Sequence, residues 1–269
     1  MAIGGIGPGA TDYYYRRLIS TFAEKNATAS VASFALICVS ISTLPATQIP
    51  APNQAINAAT LTKQPKLNTA SDYFSRGYAW HQKQDYDRAI SDYTEAIKLA
   101  PNYARAFINR GVAWQRKHQL DLAMSDYNKG ITLEPRDPVV FLNRGNAWSD
   151  KHNYDRAIDD FNQAIKLKSN YAIAFNDRGN AWFAKHNYDR AISDYTDAIN
   201  FHPIYAHAFY NRGRTYVRKN DKQHAIADFQ QANGLSGPND PCRKNALAEL
   251  QKLGVNPPSS SSPPTSIRA

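Results

Sequence analysis

The sequence predicts an all-α solenoid of five helix-turn-helix repeats. The first observation is a period of 34 residues, because NRGNAW at 143–148 returns as DRGNAW at 177–182. The second is a small residue at the eighth and twentieth places of every unit, and the third is an aromatic residue at the fourth, eleventh and twenty-fourth places. Such a period marks units that bury their apolar faces only by stacking, so we expect one continuous core along residues 70–239.

Residues 1–44 form a leader whose last part, 29–44, is apolar and carries no charge. Arg16, Arg17 and Lys25 precede this segment. It is shorter than the roughly 20 residues that a membrane-spanning helix needs, and a secretory signal core of about 7–15 residues fits better. The leader therefore predicts export, to a periplasm or out of the cell, or a short membrane anchor. A buried helix of a small N-terminal domain is the alternative.

Residues 45–69 are rich in Pro, Ala, Thr, Gln and Asn, and they are predicted to be a flexible linker. The repeats that follow each read as two helices. In the first repeat Tyr73, Gly77 and Trp80 lie along one stripe of a helix, and Ala89 and Tyr93 begin the same stripe on a second helix. Small residues allow the two helices to approach closely, and the aromatic rings fill the space beside them. The predicted repeats span residues 70–103, 104–137, 138–171, 172–205 and 206–239.

This pattern resembles the tetratricopeptide repeat family over residues 70–239. The resemblance implies antiparallel helix pairs wound into a right-handed superhelix, with a concave groove lined by the first helix of each pair. Residues 240–255 resemble the extra helix that often covers the last repeat in that family. The two Pro-Pro pairs and the serine run of residues 256–269 are typical of a solvated, disordered tail.

Composition limits the partners. With 32 Lys and Arg against 23 Asp and Glu, the formal charge of +9 allows acidic partners. Within the repeats, however, positive and negative residues alternate without like-charge runs, which makes nucleic acid an unlikely ligand. Membrane contact is expected only through the N-terminal segment. The two cysteines, Cys38 and Cys242, have no paired spacing and indicate neither a disulfide framework nor a zinc site.

The sequence predicts no enzyme, no cofactor and no metal. His118, His152 and His186 recur in register, but each falls at the turn between paired helices. Successive turns are separated by about 10 Å, whereas metal ligands must meet within about 2.1 Å of one ion. We find no phosphate-binding loop and no nucleophile motif.

One departure from the family concerns charge. The seventh place, normally leucine in the family, is arginine in every repeat, and the twenty-third place is aspartate. These residues are Arg76, Arg110, Arg144, Arg178 and Arg212 at the seventh place, and Asp92, Asp126, Asp160, Asp194 and Asp228 at the twenty-third. Because a buried arginine without a partner would be costly, we interpret them as a structural ladder of ion pairs. A row of arginines for an acidic ligand is the alternative, and the sequence leaves open whether Arg144 pairs with Asp160 or with Asp126.

The groove is expected to carry a row of amides at the sixth place. Asn109, Asn143 and Asn211 occupy it in three repeats, and Asp177 and Ser75 occupy it in the others. An amide can both donate to and accept from a peptide backbone, and the row resembles the asparagine ladder in the repeat domain of protein O-GlcNAc transferase. Alternatively, asparagine merely accompanies the Arg-Gly pair that follows it. The other predicted groove residues are Leu142, Asn146, Ile173, Tyr210 and Arg214.

Together these features predict a non-enzymatic scaffold that binds an extended segment of another protein. The first part of the groove reads as apolar and the last repeat as basic, so an apolar stretch with an acidic end would complement it. An RNA-binding helical-repeat protein is an alternative, as is the non-catalytic regulatory subunit of an enzyme complex.

Overall fold

The structure is a computed structural model that describes residues 67–255. The predicted leader, nearly all of the predicted linker and the predicted tail lie outside the described residues. From Asn68 onward the described chain belongs to one compact unit. The predicted all-α solenoid is confirmed: within residues 67–255 the chain forms eleven α-helices and no strand.

The helices alternate along the chain as the first and second members of five pairs. The first helices are α1 (Ala70–Gln82), α3 (Ala104–Arg116), α5 (Pro138–Asp150), α7 (Ala172–Ala184) and α9 (Ala206–Arg218). The second helices are α2 (Tyr86–Leu99), α4 (Leu120–Leu133), α6 (Tyr154–Leu167), α8 (Tyr188–Phe201) and α10 (Lys222–Leu235), and α11 (Pro241–Lys252) follows them.

Local sequence explains where the second helices begin. Each pair is joined by three residues, and the middle one lies in the left-handed region, with φ between 57° and 61°. In four of the five pairs the last residue of the turn is Asp or Asn, and its side chain caps the second helix. Asn153 and Asn187, for example, accept from the backbone N–H three residues later. Such a cap satisfies one of the donors that a helix leaves unpaired at its start.

Each pair is held together by a glycine on the first helix and a ring on the second. A Cβ atom added at Gly145 would lie 2.6 Å from a ring carbon of Phe161, and the other four repeats show the same close approach. These five rings are at most 1 % exposed. The absence of a side chain at the eighth place therefore allows the two helices to close around a fully buried aromatic ring.

The pairs stack in sequence order, and α11 covers the open side of the last one. Cys242, Ala246 and Leu250 of α11 join the core cluster around Phe229. First helices of successive repeats contact one another as well as their own partners. Their side chains meet directly, since Gln115 of α3 donates to an Asp150 oxygen of α5 at 2.6 Å. The side on which first helices meet is called the inner face below.

Candidate functional site

The sixth-place row lies on the inner face, where Ser75 is exposed and the other four residues are only partly exposed. Asn109 donates its amide to the Arg105 carbonyl one turn earlier on α3, at 2.8 Å. Asn211 of α9 donates to the Asn176 side-chain oxygen of α7, at 3.0 Å. For Asn143 no side-chain hydrogen bond is found among the described residues. The row therefore contains one amide open to a ligand and two that already have protein partners.

Leu142 was expected to line the groove, and this expectation is wrong. Its side chain is 7 % exposed and belongs to a core cluster with Ile158 and Phe161 of α6 and Ala174 of α7. The fifth place of a first helix points between neighbouring helices, so stacking of the next repeat covers it. Ile173, one turn nearer the start of its helix, stays 46 % exposed.

A polar cluster interrupts the inner face at α7. Asn176 is 4 % exposed and donates to a carboxylate oxygen of Asp177 at 3.0 Å. Burial raises the pKa of the Asp177 carboxyl, and hydrogen bonding by Asn146 of α5 and by Asn176 partly offsets that rise. The cluster therefore joins predicted groove residues Asn146, Asp177 and Asn211 across three consecutive first helices. Asn176 was not among the predicted site residues, although it is the one polar residue at the fifth place.

The end of the inner face at α9 is basic. Arg214 is exposed, and its guanidinium carbon lies 5.2 Å from the ring centre of Phe183 and 5.8 Å from that of Tyr210. Such stacking on aromatic faces holds the cation in place without neutralising it. Arg214 forms no ion pair with any described residue. It is therefore available to an acidic group on a ligand.

The Arg–Asp ladder lies between helices of the same pair. Arg144 donates to the two carboxylate oxygens of Asp160 at 2.8 and 2.7 Å, so the partner is in the same repeat and is not Asp126. Its remaining terminal nitrogen donates to Asn128 of the preceding repeat at 2.7 Å. The same two-point pairing occurs in the other four repeats, as Arg76–Asp92, Arg110–Asp126, Arg178–Asp194 and Arg212–Asp228. This geometry favours the structural interpretation over binding of an acidic ligand.

A second row of ion pairs, which the sequence analysis did not identify, connects successive repeats. In repeats two to five, the lysine after the first helix pairs with an aspartate at the start of the preceding second helix. The pairs are Lys117–Asp87, Lys151–Asp121, Lys185–Asp155 and Lys219–Asp189. The signal was a lysine at the fourteenth place and an aspartate at the eighteenth, but only stacking brings residues 30 positions apart together.

No catalytic arrangement emerges from the described part of the chain. His118, His152 and His186 are exposed turn residues with φ of 57–59°. Within residues 67–255, no three His, Cys, Asp or Glu side chains are grouped so that they could hold a metal ion. In the same range no helix is both long enough and apolar enough to cross a membrane.

Family models decide the identity of the repeats. A TPR repeat model matches residues 77–118, and tetratricopeptide repeat models match residues 138–171 and 206–239. The chain is a tetratricopeptide repeat protein. The tetratricopeptide repeats thus account for the 34-residue period and for the paired helices. No curated protein matches the chain significantly.

Solved structures share the tetratricopeptide repeat fold. MamA is 24 % identical, with a TM-score of 0.54 over 59 % of this chain and 93 % of that one. YrrB, described as a TPR protein with an unusual peptide-binding site, is 21 % identical, with a TM-score of 0.53 over 68 % and 92 %. PilF of Pseudomonas aeruginosa is 15 % identical, with a TM-score of 0.59 over 68 % and 91 %. At these identities the likeness concerns the fold.

Proposed function

We propose that the tetratricopeptide repeats bind an extended segment of another protein along the inner face, and that the protein is a non-enzymatic scaffold. The observation that carries the proposal is an accessible surface that combines apolar and amide groups. Tyr78, Val139 and Ile173 are 50 %, 43 % and 46 % exposed, although large apolar side chains are usually buried. Asn143 lies one turn after Val139 on α5, and its amide has no hydrogen-bond partner among the described residues.

An extended peptide fits this combination of groups. Apolar side chains can bury every second residue of such a ligand, and an amide can bond its backbone in either direction. The unusual peptide-binding site described for YrrB supports the proposal that these repeats bind a peptide, because that protein shares the fold. RNA binding has less support, since five arginines of the repeats already hold carboxylates. A salt titration distinguishes the two ligands, because binding to nucleic acid weakens steeply with added salt.

Selection from a library of random twelve-residue peptides, followed by affinity measurement on the enriched sequences, tests the proposal. Ile173→Glu on the inner face should weaken binding at least about tenfold, because it places a charge against buried apolar groups of the ligand. Leu122→Glu is the matched control, since Leu122 is also 46 % exposed but lies on the second helix α4. Equal loss in both variants, or no enriched peptide at all, contradicts the proposal.

The open amide gives a finer test with the same peptides. Asn143→Ala should weaken binding by about 2- to 13-fold, the value of one neutral hydrogen bond, and by a similar factor for peptides of different sequence. Backbone contacts do not distinguish side chains, which is why the factor should not vary. Asn200→Ala, an exposed asparagine on α8, is the control and should bind as the wild type does. Unchanged affinity in Asn143→Ala would show that residues other than Asn143 bind the backbone of the peptide.

We also propose that the protein is exported or held at a membrane. This proposal rests on the uncharged segment 29–44, which lies outside the described residues. If the segment is a cleaved signal, the mature chain should begin between about Ser42 and Ala55. N-terminal sequencing of protein from cell fractions measures this, and a soluble cytoplasmic form that still begins at Met1 would contradict it.

A further inference from the structure

The fourth repeat differs from the other four at two adjacent places of its first helix, α7. At the fifth place the other repeats carry apolar or aromatic side chains, which are Phe74, Ile108, Leu142 and Tyr210. The fourth repeat carries Asn176 there, 4 % exposed, and Asp177 follows it where the other repeats have a neutral residue. Burying a polar pair where the fold accepts an apolar one costs stability. Departures of this kind are expected at functional sites.

Asp177 also differs from the buried aspartates of the ladder. Each of those pairs with an arginine at 2.5–2.8 Å. The partners of Asp177 are the neutral amides of Asn176 and Asn146, and no described Lys, Arg or His lies within ion-pair distance of it. Amides orient the carboxylate but do not neutralise it. A partly buried carboxylate of this kind is stabilised when a ligand brings a positive charge to it.

A free cation lies on the next first helix. Arg214 of α9 rests on Phe183 and Tyr210 and pairs with no described carboxylate. Burial raises the pKa of the Tyr195 hydroxyl; Arg214 acts against that rise and Asp177 adds to it. Both charges therefore act on the same hydroxyl, which donates to Asn180 at 2.8 Å. One carboxylate and one guanidinium, each without an ionic partner among the described residues, thus share the inner face of repeats four and five.

We propose that this part of the groove selects peptides that carry a basic side chain for Asp177 and an acidic side chain for Arg214. The inference rests on the proposed function, since it specifies the ligand of that same inner face. Packed helices lie about 10 Å apart, and an extended peptide advances about 3.3 Å per residue. The two ligand charges are therefore about three residues apart. Asn180 of α7 accepts from Tyr195 through its side-chain oxygen, and its NH2 group can still donate to the intervening ligand backbone.

The experiment selects random twelve-residue peptides in parallel on the wild type and three variants. Asp177→Asn removes the carboxylate and Arg214→Gln removes the guanidinium. Asp159→Asn makes the same charge change at an exposed position of the second helix α6 and is the matched control. Melting curves verify that all four proteins fold. A wild-type peptide and its Lys→Gln and Glu→Gln forms are then measured on each protein.

The wild type and Asp159→Asn should both enrich a Lys or Arg about three positions from an Asp or Glu. Asp177→Asn should lose the basic preference alone, and Arg214→Gln the acidic preference alone. Replacing the peptide lysine should cost about tenfold or more on the wild type and little on Asp177→Asn, since a charge-assisted hydrogen bond is lost only in the first case.

Two results overturn the inference. Enriched peptides without a basic preference, or with the same preference on Asp177→Asn, refute it while leaving peptide binding on the inner face intact. No enriched peptide on the wild type refutes the proposed function and this inference with it.

Discussion

At the scale of single residues, two features influence the stability of a repeat: a side chain that is absent at Gly145, and a carboxylate at Asp177 that has no cationic partner among the described residues. Gly145 has no side chain, and a Cβ atom there would lie well inside the contact distance of the Phe161 ring. Asp177 has a charge but no ionic partner among the described residues. The absent side chain of Gly145 allows the two helices of a pair to pack closely, whereas the unpaired carboxylate of Asp177 lowers the stability of its repeat. Adding a side chain at Gly145 should therefore destabilise the protein, and removing the charge of Asp177 should stabilise it.

Gly145→Ala should lower the free energy of unfolding by about 1–3 kcal/mol, because overpacking forces the ring or the helix to move. Gly234 of α10 is the matched control, since a Cβ atom there meets nothing within 4 Å. Gly234→Ala should be neutral or raise stability by up to about 1 kcal/mol, because alanine is the better helix former. Denaturant unfolding measures both. Similar effects from the two variants would contradict the close-packing explanation.

Asp177→Asn should raise the free energy of unfolding at neutral pH by about 0.5–2 kcal/mol. The folded-state pKa of Asp177 is raised above its ordinary value of 3.8, so the folded protein binds a proton there more tightly than the unfolded chain. The stability that this carboxyl contributes is present below the ordinary pKa and is lost as the pH rises through the folded-state pKa. The gain from Asp177→Asn should therefore shrink as the pH is lowered through that raised pKa.

Unfolding measured at neutral and acidic pH verifies this pH dependence. Asp159→Asn, at an exposed position of α6, should show no comparable gain at either pH. A loss of stability in Asp177→Asn at neutral pH would show that the surrounding amides compensate the ionised carboxylate fully.

At the scale of helices, the Arg–Asp ladder connects three elements in four of its five steps. Arg144 of α5 binds Asp160 of α6 and reaches Asn128 of α4. Asp160 is 4 % exposed, whereas the arginine side chain is 23 % exposed. The carboxylate therefore depends on the arginine for nearly all of its compensation. The ladder orients the two helices of a pair and attaches them to the preceding pair.

Arg144→Leu should lower the free energy of unfolding by about 3 kcal/mol, because it leaves a buried carboxylate unpaired. Adding Asp160→Asn should recover much of that loss. Adding Asp126→Asn instead should deepen it, since Asp126 is the partner of Arg110. A double-mutant cycle in denaturant measures these couplings. Equal behaviour of the two double variants would contradict pairing within the repeat.

At the scale of the whole repeat unit, stability comes from stacking, and the last repeat depends on α11. Cys242, Ala246 and Leu250 are at most 3 % exposed because they cover α9 and α10. A stack without such a cap exposes an apolar face to solvent. The Lys–Asp pairs between repeats add little, since exposed ion pairs are worth about 0–1 kcal/mol.

A chain ended at residue 239 should therefore melt at a lower temperature and aggregate, whereas a chain ended at residue 255 should behave as the full chain does. Melting curves and light scattering measure the two effects. The second chain is the control because it keeps α11 and loses only residues 256–269. An unchanged melting temperature in the shorter chain would show that the last repeat is stable without its cap.

The 34-residue period, the small residues and the aromatic places, together with the resemblance to the tetratricopeptide repeat family, were enough to predict the fold. The glycine at the eighth place and the ring at the twenty-fourth identify the helix faces that pack, because a helix repeats every 3.6 residues and the pattern follows that period. The first helices begin at Ala70, Ala104, Pro138, Ala172 and Ala206, where the predicted repeats begin. An arginine at the seventh place and an aspartate at the twenty-third place of every repeat likewise indicated an ion-pair ladder, since a buried arginine requires a partner.

Contacts between repeats could not be predicted in the same way. Helical periodicity shows which face a residue occupies, but the distance to the neighbouring helix determines whether that face is covered. Leu142 shares the inner side with Asn143, yet stacking of α7 buries the leucine and leaves the amide accessible. Partners far apart in sequence are brought together only by stacking, as when Asn211 of α9 bonds Asn176 of α7. The choice of Asp160 over Asp126 as the partner of Arg144 depends on the same spacing, because a hydrogen bond forms only within about 3 Å.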